Sequence, residues 1–172
     1  MDFATCAPNI DPVLMQQVVR VESGGNPFAI GVVGGRLERQ PKTLAEAVST
    51  VRFLERAGYN YSIGTSQINR IHFGRLGWKE NIATGFDVCA NLKAGAGVLE
   101  DCHRRAKRAG YATTQTPGMY TSIHAALSCY YSGHFEKGAQ LGYVAKVLGV
   151  SAKWPNAEKK GRIHLGSSMF VE

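Results

Sequence analysis

Apolar residues recur along this chain at the three- and four-residue spacing of amphipathic helices, so the pattern predicts a mainly α (α+β) protein. We expect the first long helix to begin at Pro12, with Asp11 as its N-cap, and to end at Gly24. Further helices are expected at about residues 43–57, 87–108, 120–132 and 137–148.

Glycine and proline interrupt this pattern between Asn26 and Pro41, where the alternating stretch Arg36–Arg39 favours a loop or a small hairpin. From Val150 onward the chain is polar and basic. We therefore expect one domain at residues 1–149, followed by a basic C-terminal tail at residues 150–172 that could pack on the domain.

The composition fits one globular domain, since 172 residues are enough to bury a core and 44% of them are hydrophobic. No apolar run approaches the roughly 20 residues of a membrane span. The start, Met1-Asp2-Phe3, lacks the features of a secretory signal. The chain is expected to be either cytosolic or numbered from a trimmed mature form.

The four cysteines help to decide between a cytosolic protein and a trimmed mature form. No pair of them has the spacing of a zinc finger. Cys89 and Cys102 fall on one predicted helix, roughly 20 Å apart, which is too far for a disulfide. Two of the three connectivities remain open, as do four free buried thiols. Disulfides would indicate an oxidising compartment, and the periplasm is our preferred expectation.

The formal net charge of +7 suits an anionic partner, such as nucleic acid, a membrane surface or an acidic cell wall. Most basic residues are scattered, and the cluster at Arg104–Arg108 reads as the solvated C-terminal end of a helix. No nucleic-acid-binding motif surrounds it, so nucleic acid is not an expected partner.

Glu22 is the most informative acidic residue, because it lies where the first long helix ends. Val18 and Val19 precede it by four and three residues and share its helical face. The helix dipole also disfavours negative charge in the last turn. Both effects predict a raised pKa for the Glu22 carboxyl, which suits a general acid.

Four sequence blocks follow one another in an order that points to a known family. The blocks are Glu22-Ser23-Gly24-Gly25-Asn26-Pro27, Gly64-Thr65-Ser66-Gln67-Ile68-Asn69, Ala126-Leu127-Ser128-Cys129-Tyr130-Tyr131-Ser132-Gly133 and Gly142-Tyr143-Val144. Together they resemble the lysozyme-like lytic transglycosylases, above all the specialised ones of type IV secretion and conjugation systems. The resemblance covers roughly residues 6–149 and implies a lysozyme-like catalytic domain with a small loop or hairpin segment beside the cleft.

The resemblance implies a chemistry with one carboxylate. Glu22 would protonate the oxygen between N-acetylmuramic acid and N-acetylglucosamine, then deprotonate the muramyl C6 hydroxyl, which closes a 1,6-anhydro ring. No metal and no cofactor is required. The expected partners are peptidoglycan strands and components of a secretion, conjugation or pilus machine, for which the enzyme opens the wall locally.

The resemblance also assigns roles to other residues. Tyr130 matches a tyrosine that orients the acid, Tyr143 matches one that lines the cleft, and Ser23 would hydrogen-bond Glu22 or an acetamido group. Gly64 would let the backbone approach the sugar, and Gln67 would bind it. The expected substrate-binding set is Ser23, Gly64, Ser66, Gln67, Asn69, Tyr130 and Tyr143, with Asn69 also holding its loop.

Relatives often carry a cysteine near positions 6 and 89, so the resemblance implies a Cys6–Cys89 disulfide and, with it, Cys102–Cys129. Two departures from the family pattern stand out. Tyr131 occupies a position that is usually asparagine, and Thr65-Ser66 replaces a pair such as Leu-Met, which implies a less apolar edge to the saccharide groove.

Other functions can be weighed against this expectation. Ser66 lacks the second glycine of a nucleophile elbow, the five histidines never fall at H-E-x-x-H spacing, and no P-loop is present. Two alternatives remain: a lysozyme that uses water as the nucleophile, and a non-catalytic peptidoglycan-binding assembly factor.

Overall fold

The computed structural model describes residues 1–114 and 118–151, and the chain divides into two compact units, Met1–Val98 and Leu99–Glu172. The elements of the first unit are α1 (Phe3–Cys6), α2 (Pro12–Ser23), β1 (Ile30–Val32), α3 (Leu44–Arg56), β2 (Tyr61–Ile63), β3 (Ile68–Asn69), α4 (Phe73–Leu76) and two 3₁₀ turns (Arg70–His72 and Ile82–Phe86). Helix α5 (Val88–Arg108) runs through the boundary, and the second unit continues with α6 (Ser122–Ser132), α7 (Lys137–Gln140) and α8 (Tyr143–Leu148). The mainly α, lysozyme-like fold expected from the sequence is confirmed.

Helix α2 begins and ends at the predicted residues. Asp11 Oδ1 accepts a hydrogen bond of 2.9 Å from the Leu14 N–H, and Pro12 occupies the first turn. Gly24 ends the helix in the left-handed region, at a φ of 63°. The helix buries one face, formed by Met15, Val18 and Val19, as its apolar spacing requires.

The strands form one antiparallel sheet in the order β1-β2-β3, with Ile30 opposite Ile63 and Ser62 opposite Asn69. Residues 36–39 contain no strand and form a loop, which is the first of the two structures expected for this stretch. The strand of this segment is Ile30–Val32, which pairs with the distant β2. Side chains of the sheet, α3, α4 and the turn after α4 form one buried hydrophobic cluster of the first unit, which includes Tyr61, Ile63, Val51, Leu54, Phe73 and Trp78.

The second unit is built around α6, whose residues from His124 to Cys129 are all buried. The helix predicted at 137–148 is in fact two helices, α7 and α8. They separate because Gly142 adopts a φ of 82°, which an α-helix cannot contain. Most of the predicted tail, residues 152–172, lies outside the described residues, so the boundary at residue 149 stays a prediction.

Each unit contains one disulfide, which joins distant parts of its chain. Cys6 pairs with Cys89, at a Cα–Cα distance of 5.0 Å, and Cys102 pairs with Cys129, at 5.8 Å. The pairing implied by the family resemblance is therefore confirmed, and all four cysteines are used. In residues 1–114 and 118–151, no helix combines the length and the apolar character that crossing a membrane demands.

Candidate active site

Glu22 lies in the last turn of α2 and is partly buried. Val18 and Val19, which precede it by one helical turn, are almost completely buried, with exposed fractions of 0% and 3%. The face that carries the carboxyl is therefore flanked by apolar side chains, as the sequence predicted.

Ser23 connects the end of this helix to the second sequence block. Its hydroxyl donates a hydrogen bond of 2.7 Å to the Thr65 carbonyl and accepts one of 3.1 Å from the Gly25 N–H. These bonds fix the turn that follows Glu22 against the Gly64 segment. The Ser23 hydroxyl is therefore engaged by the backbone, and its hydrogen bond to Glu22 or to a substrate stays a prediction.

The side chain of Asn91, on α5, holds the second block in place, although no motif in the sequence pointed to this residue. Its side chain is fully buried. The Oδ1 atom accepts hydrogen bonds from the Ser66 N–H at 2.7 Å and the Thr65 hydroxyl at 3.1 Å. The Nδ2 group donates to the carbonyls of Ile63 at 3.0 Å and Gly85 at 2.8 Å. One amide therefore satisfies four polar groups that the fold withdraws from water.

Gly64 is required by this internal contact. Its φ is 77°, and a Cβ atom there would lie 2.2 Å from Asn91 Nδ2 and 2.9 Å from the Gly85 carbonyl oxygen. The contact with the α5 amide alone is enough to require glycine here. The approach of a sugar to Gly64 stays a prediction.

Ser66 is fully buried, and so is Thr65. A Cβ atom at Gly95 of α5 would lie 2.6 Å from Ser66 Cβ, so the two segments are in close contact. Thr65 and Ser66 therefore belong to the core, and their polarity does not alter the edge of a groove. A signal for this arrangement was present in the sequence, since Asn91 and Gly95 lie four residues apart on one helical face.

Gln67 has an unusual backbone conformation for a residue with a side chain, with a φ of 49°. Its Nε2 group donates to the carbonyls of Ala29 at 3.1 Å and Gly64 at 3.0 Å. Both amide hydrogens therefore stabilise the protein itself, and Oε1 is the atom that retains capacity to accept a hydrogen bond.

Asn69 holds its loop, as expected. Its Oδ1 accepts a hydrogen bond of 3.1 Å from the Ile71 N–H, and its Nδ2 donates to Asn60 Oδ1 at 2.9 Å. The side chain thus caps the 3₁₀ turn that follows β3.

The third and fourth blocks lie in the second unit. Tyr130 is partly buried on α6, whereas Tyr143, the first residue of α8, is only 6% exposed. The Tyr131 ring stacks on the Tyr143 ring, with centroids 4.6 Å apart and planes inclined by 17°. The structure therefore brings the first two blocks together through Ser23 and Thr65, and the last two through this aromatic pair.

Ser128 fixes the helix that carries Tyr130. Its hydroxyl donates a hydrogen bond of 2.7 Å to the His134 carbonyl and accepts one of 2.8 Å from the Gly138 N–H. A Cβ atom at Gly138 would lie 2.8 Å from Ser128 Cα, so α7 contacts α6 closely. This serine was not singled out in the sequence, although it lies within the third block.

Several other carboxylates have structural partners. Glu46 accepts hydrogen bonds from Arg39 and the Lys42 N–H, which lower its pKa to about 2. Arg70 pairs with Glu55, and Arg105 pairs with Asp101. Further carboxylates cap helices or accept side-chain bonds, namely Asp2, Asp11, Asp87 and Glu136.

Two grooves open on the first unit. One, of about 660 Å³, is lined by residues of α3 and β2 and by residues between 70 and 83, including Arg52, Tyr61 and Trp78. The other, of about 560 Å³, follows α2 and reaches Gly24 and Gly25, immediately after the Glu22-Ser23 pair. Within the described part of the chain, no group of three or more histidine, cysteine, aspartate or glutamate side chains is arranged to hold a metal ion.

Comparison with known sequences decides the family. A model of the transglycosylase SLT domain matches residues 1–148. The chain belongs to the transglycosylase SLT domain family. All four blocks lie within the matched part of this SLT domain.

Curated relatives of this SLT domain carry names from secretion systems. The chain is 46% identical over 149 residues to the type IV secretion system protein virB1 of Brucella abortus, covering 83% of this chain and 59% of that protein. It is 31% identical over 144 residues to the protein virB1 of Rhizobium radiobacter, covering 83% and 56%. The chain thus spans a little over half the length of these relatives. No solved structure matches it.

Proposed function

We propose that this protein is a peptidoglycan lytic transglycosylase in which Glu22 is the catalytic acid and base. The observation that carries the proposal is the placement of Glu22, within an SLT domain, at the end of a helix that Ser23 ties to the Gly64 block. The Glu22 carboxyl is partly buried and lies on a helical face that it shares with the buried Val18 and Val19.

The proposed reaction needs one carboxyl group. Glu22 donates its proton to the glycosidic oxygen that joins C1 of N-acetylmuramic acid to N-acetylglucosamine, and the C1–oxygen bond breaks. The Glu22 carboxylate then takes the proton of the muramyl C6 hydroxyl as that oxygen bonds to C1. The products are a 1,6-anhydromuramyl end and an N-acetylglucosamine with a free hydroxyl. Glu22 is again protonated, and no water, metal or cofactor is consumed.

The partners of the other acids support a single-carboxylate mechanism. Glu46, Glu55 and Asp101 form ion pairs with arginines, so these three carboxylates already have partners within the protein. Lysozyme-type hydrolysis would need a second carboxylate about 5–10 Å from the first, on the opposite side of the scissile bond. The sequence motifs supply no such second acid.

The remaining site residues contribute in different ways. Tyr130 is proposed to orient the Glu22 carboxyl, and Tyr143 to line the cleft. Gln67 offers its Oε1 atom to a sugar N–H or O–H group, since its Nε2 hydrogens bond to the backbone. Ser23, Gly64 and Asn69 shape the loop that carries Gln67. Ser66 is left out of the proposed substrate-binding set because it is fully buried.

We further propose that the enzyme acts in the periplasm, where it opens peptidoglycan for a type IV secretion or conjugation apparatus. The names of the virB1 relatives support this context. Two disulfides favour an oxidising compartment. A net charge of +7 suits a wall whose peptides carry carboxylates.

Mass spectrometry of purified peptidoglycan after digestion tests the proposal. The wild type should release 1,6-anhydromuropeptides, and Glu22→Gln, which cannot donate or accept the proton, should release none. Glu80→Gln removes an exposed acid of the same unit and should behave as wild type. Reducing ends in place of anhydro ends would mean that water is the nucleophile. Glycan binding without release by any variant would indicate an assembly factor instead.

A further inference from the structure

Tyr131 is an exposed aromatic residue with a fixed orientation. Just over half of its surface, 53%, is open to solvent although one ring face lies on Tyr143. Tyr143 is 6% exposed and begins α8, so it provides a rigid base. The second face of the Tyr131 ring is therefore presented outward in one orientation.

An aromatic face exposed to water is unfavourable in free energy compared with one that is buried, so a ligand that covers it gains hydrophobic stabilisation. The stacking on Tyr143 also removes much of the rotamer freedom that a ligand would otherwise have to restrict on binding. An ordered ring that offers one apolar face and a hydroxyl edge suits a ligand with an apolar face and polar edges. A pyranose ring has this character, because its axial C–H groups form an apolar face and its hydroxyls lie at the edge.

Resting on the proposed function, we propose that the outward face of Tyr131 is a stacking site for one sugar ring of the glycan strand. Tyr143 acts as the positioning residue that holds the platform. Tyr131 occupies a position that is usually asparagine in the family. At this position the chain would therefore contact the sugar through an aromatic ring and not through amide hydrogen bonds. Because this contact is made alike in the ground and transition states, it should affect KM and leave kcat nearly unchanged.

Binding measured without turnover provides the test. In a Glu22→Gln background, calorimetric titration with chitohexaose and co-sedimentation with purified peptidoglycan report affinity alone. Tyr131→Ala should weaken binding about tenfold, as expected for an aromatic contact worth ~1.4 kcal/mol. Tyr131→Phe keeps the ring and should bind as the parent does, whereas Tyr131→Asn should resemble Tyr131→Ala.

Phe53→Ala is the matched control. Phe53 is an aromatic residue of α3 with a similar exposure, 59%, and should not affect affinity when it is truncated. Unchanged affinity in Tyr131→Ala would overturn the proposal, and so would failure of the parent to bind either glycan. An equal loss in Tyr131→Phe would assign the effect to the hydroxyl and also overturn it.

The two proposals can fail separately. Anhydromuropeptides from the wild type, together with full affinity in Tyr131→Ala, would leave the transglycosylase standing and remove the stacking site. Weakened binding in Tyr131→Ala, with no product from the wild type, would support the stacking site in a glycan-binding protein. If Tyr131 serves a protein partner instead, Tyr131→Ala will keep its glycan affinity.

Discussion

The side-chain amide of Asn91 fills the space that a Cβ atom at Gly64 would need, with Nδ2 2.2 Å from that position. The amide also bonds to the carbonyl of Ile63, the residue that precedes Gly64. The conformation of the second block is thus set by a residue of α5 and not by the block alone. Because Ser23 binds Thr65 of the same block, this arrangement reaches the turn beside Glu22.

Gly64→Ala should therefore destabilise the protein strongly. Any side chain there is strained at a φ of 77°, and the new methyl group would also overlap Asn91 and the Gly85 carbonyl. We expect the free energy of unfolding to fall by about 3 kcal/mol or more, measured by urea denaturation.

Gly34→Ala separates the two contributions. Gly34 has a φ of 74°, but no atom lies within 4 Å of its Cβ position. This substitution should cost only the backbone strain, about 1 kcal/mol. Equal losses at both positions would show that the contact between Gly64 and Asn91 is unimportant.

Asn91→Ala should be at least as damaging, since it leaves four buried polar groups without their shared partner. A loss of about 3 kcal/mol or more in unfolding free energy is expected. Thr65→Val removes only the hydroxyl bond to Oδ1, so about 1 kcal/mol should be lost. Lys93→Ala, at an exposed position of the same helix, should have little effect. A tolerated Asn91→Ala would mean that water replaces the amide.

Local signals in the sequence predicted the helices well where caps were clear. Asp11 with Gly24 bounds α2, and Thr43 begins α3 by accepting the Glu46 N–H. The split between α7 and α8 was missed because the apolar spacing continues through Gly142. A glycine permits the left-handed φ found there but does not require it, so the periodicity alone could not locate the break.

The roles of the candidate site residues stay predictions, but the structure shows what several of these residues contact. Glu22 was identified from its helix end and the motif order, both of which are local. Gly64 and Ser66 were expected to face the sugar, yet their surroundings are set by Asn91 and Gly95 from a distant helix. The motif order marks Gly64 and Ser66 as part of the family pattern, but only the packed structure shows which residues they contact.

The two disulfides should differ in their contribution to stability. Cys6–Cys89 closes a loop with a sequence separation of 83, and Cys102–Cys129 one of 27. In the loop-entropy description, removing them by paired Cys→Ala substitution costs about 4.5 and about 3.5 kcal/mol respectively. Urea denaturation of the two double variants, under oxidising conditions, measures the difference. The opposite order would show that packing around α6 outweighs chain entropy.

His124 should make the second unit sensitive to mild acid. The imidazole is 4% exposed, its Nδ1 accepts a hydrogen bond of 3.0 Å from the Thr121 N–H, and burial lowers its pKa below the usual 6.5. Between the folded and unfolded pKa values only the unfolded chain binds the proton. Stability should therefore fall as the pH drops below about 6.5, by at most ~1.4 kcal/mol per pH unit for this group.

His124→Gln isolates this effect, because glutamine can accept the same backbone bond in a capping box but does not titrate. Urea denaturation between pH 5 and 8 should show a shallower loss of stability in this variant than in the wild type. Burial also lowers the pKa of His103, so part of the slope should remain. His134→Gln, at an exposed position, should keep the slope of the wild type. If His124→Gln retains the full slope, the acid sensitivity comes from other groups and the buried imidazole is not its source.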